Sequence, residues 1–546
     1  MVKEVPGPVH EAAWLIGNLA DLLLSENYGD HEYQWQQQYG SIYRLKGCFS
    51  EDILFTSDPS VFRYVMNNDQ KLFGYTSSRH FIVLMLLGPQ SLITVPSRHD
   101  HRRIKNAFAP AFTNSRLQLY IPIIQNITRK AVEKLTEQCS VTGKRDRKSA
   151  IDMYDLLQYI TSDVIGEVGF GHKFNAVETN GGDEIARSHK NIVALGWKPS
   201  EGAVLADSLL AYLPRVFQNV LIHVPTGAFK TLSHFRTISE KWSVDLLRTN
   251  MKMHEASQGQ ERDTGLMTSV GMRIVLLSKL FTSDLHGTAT MQDSMKERER
   301  LTFEEIAHQT ATMLVSGQDT TGNTLAWALF EFAKRPEWQE KVRQEIIKAD
   351  ATGTAPNSDK LDYLNAHIKE TLRWYPSAPY ADRVAYEDTV LPLSQPLTTT
   401  SGRVITQLPI RKGQTIYLGL GSFNRNPDIW GPDANVFDPS RWIQCNGRSE
   451  VKIAGGSFSP YANLSSFGGG VRVCLGLTSN VFFGSWRLAI LELQIVLAEL
   501  ISKFRFSFEP GDESFIQSAL AVTILPRDSQ TGRPSLPLKA EMVDVE

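Results

Sequence analysis

Three stretches of this 546-residue chain combine residue types that can do chemistry. The first is Ser465-Ser466-Phe467-Gly468-Gly469-Gly470-Val471-Arg472-Val473-Cys474-Leu475-Gly476, which holds one of only four cysteines. A lone thiolate can be the single protein ligand of a heme iron, donating electron density that favours O–O cleavage. Glycines around it let the backbone come close to a flat ligand and aim amides at sulfur, and such hydrogen bonds tune a metal. Arg472 carries the forked guanidinium that binds carboxylates. Taken alone, the stretch fits a buried free cysteine in a glycine turn just as well.

The second is Ser316-Gly317-Gln318-Asp319-Thr320-Thr321, a polar notch inside an apolar helical pattern. Thr302 reads as an N-cap with Glu305 as its capping-box partner. Phe303, Ile306, Ala307, Thr310, Ala311, Leu314 and Val315 mark one face of that helix. The stripe resumes at Thr324, Leu325, Ala328, Leu329, Phe332 and Ala333, and Pro336 ends it. At 1.5 Å per residue the helix runs about 50 Å, enough to cross a domain. A polar notch at its centre is costly unless something uses it.

The third is Glu370-Thr371-Leu372-Arg373, a carboxylate and a guanidinium at i and i+3. By itself it reads as an exposed helical pair worth a few tenths of a kcal/mol. Downstream, Phe437-Asp438-Pro439-Ser440-Arg441-Trp442 offers another arginine for the same carboxylate.

The elements that must position these residues are mostly helical. Apolar residues recur at helical spacing from about Ser97 to Asn250, while Trp35 to Tyr64 suggests short strands. A helix is expected around Leu361 to Trp374, strand-like segments to about Leu420, and an irregular loop from about Asn424 to Ser466. A last amphipathic helix turns Ala489, Ile490, Leu493, Val496, Leu497 and Leu500 inward. Leu205 to Phe229 is unusually apolar, either a core helix or a substrate lid or membrane-dipping surface. His254 to Asp263 and Gly287 to Arg300 are polar linkers.

Composition narrows the classes. A net charge of −2 argues against bulk nucleic-acid binding. Cys48, Cys139, Cys445 and Cys474 are scattered, with no paired spacing for a closed zinc site or a disulfide framework, so a reducing compartment is expected. No run of 18 to 20 apolar residues marks a transmembrane helix.

In order along the chain, four motifs together resemble the cytochrome P450 family of heme-thiolate monooxygenases, most closely its fungal microsomal members. F-x-x-G-x-R-x-C-x-G falls on Phe467, Gly470, Arg472, Cys474 and Gly476. A/G-G-x-D/E-T-T/S falls on Gly317, Asp319, Thr320 and Thr321, with Ser316 in the first place. E-x-x-R falls on Glu370 and Arg373, and F-x-P-x-R-W on Phe437, Pro439, Arg441 and Trp442. The resemblance spans roughly residues 30 to 525.

The resemblance implies a mainly α fold with small β-sheets, a long central helix over a heme and a proximal cysteine loop. It implies residues 1–29 as an N-terminal segment, 30–525 as a single catalytic domain and 526–546 as a tail. Cys474 becomes the axial ligand of heme b, with Arg472, Phe467, Gly468, Gly476, His101, Lys105 and Arg383 around the cofactor. Thr320 becomes the hydrogen-bonding partner of dioxygen and Asp319 a proton relay, and Glu370, Arg373 and Arg441 a structural network. Electrons come from NADPH through a separate flavoprotein reductase, with cytochrome b5 as a further donor. The reaction inserts one oxygen atom of O2 into a lipophilic small molecule, in terpenoid or polyketide secondary metabolism. The alternatives are a xenobiotic or fatty-acid and alkane hydroxylase, or a heme-binding protein without activity. Peroxide isomerisation without O2, found in members that lose the threonine, is disfavoured by Thr320. A monomer is expected, on the cytoplasmic side and peripheral at the endoplasmic reticulum.

Three departures stand out. His101 and Lys105 occupy the positions of the usual W-x-x-x-R, no membrane anchor precedes Pro6-Gly7-Pro8, and Leu477 to Ser485 intervenes before Trp486-Arg487 like an insertion of about nine residues.

Overall fold

The capping box expected at Thr302 forms. Thr302 accepts from Glu305 N at 3.2 Å, and its own N–H donates to the Glu305 carboxylate at 2.7 Å. Arg103 pairs with the same carboxylate, tying the helix start to the helix Arg98–Phe108. The helix then runs unbroken over Phe303–Lys334. Arg335 leaves helical geometry at φ −130°, ψ 71° because the proline that follows disfavours the α region, and Pro336 opens the next helix, Pro336–Ala351. Ile306, Ala311, Leu314, Leu325, Ala328, Leu329 and Phe332 are buried along it. Helices Met153–Val164, Gly227–Ser257, Asp362–Trp374 and Ser485–Lys503 pack around this axis. This computed structural model describes residues 1–142, 150–196, 200–212, 227–257, 301–353, 360–444, 458–474, 477–478, 481–482 and 485–543.

The helix runs unbroken through the notch at Ser316–Thr321, where the Ser316 and Thr320 hydroxyls are satisfied within it. Thr312, Ser316, Thr320 and Thr324 each donate to the carbonyl four residues earlier, at 2.9, 2.6, 2.7 and 2.7 Å. The result is a continuous hydroxyl stripe on one helical face at i, i+4 spacing.

A five-stranded sheet flanks the helices in the spatial order Ile42–Lys46, Asp52–Thr56, Thr415–Gly419, Tyr380–Ala385, Phe73–Gly74. Only the second and third of these pair in parallel. The expectation of strands over Trp35 to Tyr64 holds for the middle of that stretch alone. Asp30–Tyr39 is a helix that buries Trp35, and Pro59–Asn67 is another, capped by the Asp58 carboxylate accepting from Ser60 N and Val61 N. Asp58-Pro59 is itself a helix-start signal, so aromatic and β-branched content outweighed a better local cue.

Both chain ends pair with the rest. Arg44 N donates to Pro6 O at 2.9 Å, and Pro537–Met542 pairs with Phe504–Ser507 and with Ile151–Asp152. Of the apolar Leu205 to Phe229 stretch, the helix Glu201–Tyr212 is described; Leu210 is buried with Phe81 and Met85 while Leu209 is exposed, and 213–226 lie outside the described residues. No helix among the described residues is long and apolar enough to cross a membrane.

Candidate functional site

The cysteine loop hangs from the helix Asp362–Trp374 and from a buried asparagine. Ser466 Oγ donates to Leu372 O at 2.6 Å, Ser465 N donates to Asn424 Oδ1 at 2.8 Å, and Asn424 Nδ2 donates to Ser466 Oγ at 2.9 Å. Within the loop, Cys474 N donates to Phe467 O at 2.9 Å. Gly470 sits at φ +60°, and a Cβ there would come within 2.4 Å of Met66 O, so only glycine lets the loop dock on the helix Pro59–Asn67. The inserted residues form a short hairpin, Leu477–Thr478 against Val481–Phe482, and the next helix begins at Ser485. Its first turn still meets the loop, with Trp486 5.3 Å from Tyr461 and 6.3 Å from Phe467 between ring centroids. Gly476 and Cys445 lie outside the described residues.

Glu370, Arg373 and Arg441 come together, and deeply. Arg373 is forked onto Glu370 at 2.8 and 2.9 Å, with both side chains fully buried. The same carboxylate accepts from Arg441 Nε at 3.3 Å, Asp438 N at 2.8 Å and Trp442 Nε1 at 2.9 Å. The pair, which taken by itself read as exposed, is a buried hub: it joins Arg441 as the network of Glu370, Arg373 and Arg441 expected, and Asp438 N and the Trp442 indole belong to it as well.

Cys474, Arg472, Phe467, Gly468, His101, Lys105, Arg383 and Thr320 line one cavity of about 430 Å³. Its charged wall is specific. Arg383 Nε meets Asp69 at 2.7 Å, Arg472 Nε meets the other oxygen of Asp69 at 3.1 Å, and Lys105 Nζ donates to Val473 O at 3.2 Å. Burial holds the Lys105 ammonium down at about 8, against the pull of Cys474. Burial, then Arg472 and Lys105, push His101 down to about 3, so its ring is neutral at physiological pH. Glu492, also on the wall, is raised well above the usual carboxylate range by burial.

Asp319 is not brought into this cavity. Successive helical residues point about 100° apart, which turns Asp319 off the face by which Thr320 lines the cavity. The Asp319 carboxylate lies 3.4 Å from His189 Nε2, in a small cleft with Tyr154, Gln158 and Lys190. Ser377, unsuspected in the sequence, donates to Thr320 O at 3.2 Å and stands 3.3 Å from Thr324 Oγ1. The i, i+4 spacing of Ser316, Thr320 and Thr324 was a signal for the stripe; nothing local marks Ser377 or Asp69.

A second imidazole is also buried neutral. His367 stacks on Phe332 with ring centroids 3.5 Å apart, hydrogen-bonds Ala328 O at 2.9 Å, and is pushed down to about 3 by burial. The unfolded chain takes up protons on both rings near 6.5 while the folded one does not, so stability falls as pH drops from about 6.5 toward 3. Urea unfolding at stepped pH should show this slope. His367→Gln, whose amide can keep the bond to Ala328, is expected to remove about one proton from it; an unchanged slope would contradict the assignment.

The protein-family model described as Cytochrome P450 matches residues 6–530, nearly the whole chain. The chain belongs to the cytochrome P450 family. Curated relatives match over the same extent. Cytochrome P450 monooxygenase 91 of Postia placenta is 28% identical over 99% of this chain and 94% of its own length. A ganoderic acid synthetase of Ganoderma lucidum is 25% identical over 96% and 92%, and cytochrome P450 monooxygenase claW of Ampulloclitocybe clavipes is 25% identical over 98% and 92%. This P450 is accordingly a monooxygenase enzyme of mainly helical fold.

The family binds heme iron through a cysteine thiolate, and the residues of this cavity fit that group. Lys105, Arg383 and Arg472 bring three positive charges against the single negative charge of Asp69. Arg79, the remaining cation on the wall, is matched by Asp382 at 3.3 Å. Two positive charges are left for the two propionates of a heme, and one thiolate for its iron.

Proposed function

We propose that this P450 oxygenates a lipophilic small molecule of secondary metabolism, terpenoid or polyketide in class, with Cys474 as the heme ligand. The observation that carries this reading is the single cavity in which Cys474, a wall with two surplus positive charges and the Thr320 hydroxyl meet. Heme bound there would supply the activation of O2, with electrons from a separate NADPH-dependent flavoprotein reductase. The protein supplies binding and protons. Arg383, Arg472 and Lys105 would hold the propionates, with His101 beside them on the same wall. Gly468 and Phe467 shape the floor beside the thiolate. Thr320 Oγ1 rests on Ser316 O, which leaves its lone pairs available at the wall to accept a proton donor and its own proton available by rotation. Asp319 holds its carboxylate beside His189, outside this cavity, so it is left out of the proton path to Thr320. The relative named as a ganoderic acid synthetase supports a natural-product substrate.

The test is turnover with a P450 reductase, NADPH and ¹⁸O₂ against a panel of terpenoids and polyketides. One ¹⁸O atom per product molecule is expected. Thr320→Val should lower product formed per NADPH consumed by about 10²-fold, while binding spectra of the same substrate change little. Products without ¹⁸O, or a valine variant that couples as well as the parent, would contradict the reading.

A further inference from the structure

Asp69 belongs to no motif and does not itself line the cavity, yet it lies buried behind two arginines that do, with its side chain 1% exposed. It touches both arginines at once and uses the inner nitrogen of each, Nε of Arg383 at 2.7 Å and Nε of Arg472 at 3.1 Å. Both guanidiniums lie over the ring of Tyr75, their centres 4.7 and 4.6 Å from its centroid. One terminal nitrogen of each is also spent on the protein: Arg383 Nη1 donates to Asp382 O at 2.8 Å, and Arg472 Nη1 to Ile93 O at 3.0 Å. Among the described residues, Nη2 of neither arginine meets a protein acceptor, and both side chains line the cavity.

The segment that carries Asp69 is itself fixed to the cysteine loop. Lys71 N, Leu72 N and Phe73 N all donate to Asn68 O, Gln70 Nε2 donates to Val95 O at 3.0 Å, and Met66 O lies where a Cβ on Gly470 would clash. A carboxylate so placed does two things. It sets the angle of two long, flexible side chains before any ligand arrives, which lowers the entropy lost on binding. It also lowers the positive charge of the wall from three to two, the number a dianionic ligand neutralises.

We infer that Asp69 is a positioning residue for the cofactor. It holds Arg383 and Arg472 by their inner nitrogens so that their outer ones face the propionates, and it sets the electrostatic field in which the iron changes charge. The inference rests on the heme reading above. Removing a fixed negative charge disfavours the more positive ferric state, so the ferric/ferrous midpoint should move positive. The midpoint reads the charge of Asp69, and the rate of heme loss reads the anchor that it gives the two arginines.

The experiment uses two holoprotein variants. Asp69→Asn keeps shape and removes charge, and its midpoint potential by spectroelectrochemistry is expected to lie positive of the parent. Asp69→Glu keeps charge and shifts the anchor, so heme transfer to excess apo-myoglobin should speed up about tenfold, the worth of one charge-assisted hydrogen bond, with the midpoint little changed. Each variant stands as a test if the other does not accumulate. An unmoved midpoint in Asp69→Asn, or parental heme transfer in Asp69→Glu, would overturn the inference. A parent protein that purifies without a heme Soret band would instead overturn the site reading on which it rests.

Discussion

Glu370→Ala is expected to destabilise the fold by about 3–5 kcal/mol, a large share of the 5–15 kcal/mol that usually separates folded from unfolded states. The reason is burial rather than the ion pair as such. Glu370 and Arg373 are both inaccessible to solvent, and the carboxylate is the acceptor for two guanidiniums, an indole N–H and a backbone N–H. Its loss leaves the Arg373 charge in a dry site with only the carbonyls of Asn424, Ala434 and Val436 for company. The comparison is Asp155→Ala, which breaks a pair to Lys190 that is about half exposed and should cost under about 1 kcal/mol. Urea unfolding of both variants measures the difference directly; equal losses would contradict the hub. Heme content should fall with Glu370→Ala as well, because Ser466 hangs the cysteine loop from Leu372 O on the same helix.

The Glu370 hub also marks where a sequence pattern stops being informative. The i, i+3 spacing of Glu370 and Arg373 and the later Arg441 were visible. Burial was not, since it depends on a loop that returns about seventy residues later to cover the pair. The long helix was the most legible element, because its cap, stripe and terminating proline are all local. The side each notch residue faces was also legible from helix geometry, although the motif groups Asp319 with Thr320. Trp35 was misplaced in a strand because its composition suits a sheet while its burial suits a helix. Asp69 was invisible: its two partners lie more than three hundred residues away, and only the folded sheet and cysteine loop bring them to it. The inserted hairpin after the cysteine loop could be located but not judged. Trp486 against Tyr461 and Phe467 shows that the helix behind the loop keeps its seat.

The second large effect concerns the sulfur. Cys474 lies in the cavity with Thr320, whereas Cys48 is buried 3.9 Å from Ile16 O and Cys139 is 3.3 Å from Ala540 O, each far from that wall. None of these three is in a disulfide. A thiolate ligand gives reduced, CO-bound heme a Soret band well to the red of that given by nitrogen or water ligation, since it pushes electron density onto the iron. Serine is a far poorer donor at neutral pH, so Cys474→Ser should lose the band completely, while Cys48→Ser and Cys139→Ser should keep it. The most direct measurement is therefore the reduced CO-difference spectrum of the purified parent protein beside these three variants. The red-shifted band is expected in the parent and in both control variants, and its absence is expected in Cys474→Ser. A parent without that band, or a Cys474→Ser protein that retains it, would contradict the assignment of this cavity as a heme-thiolate site.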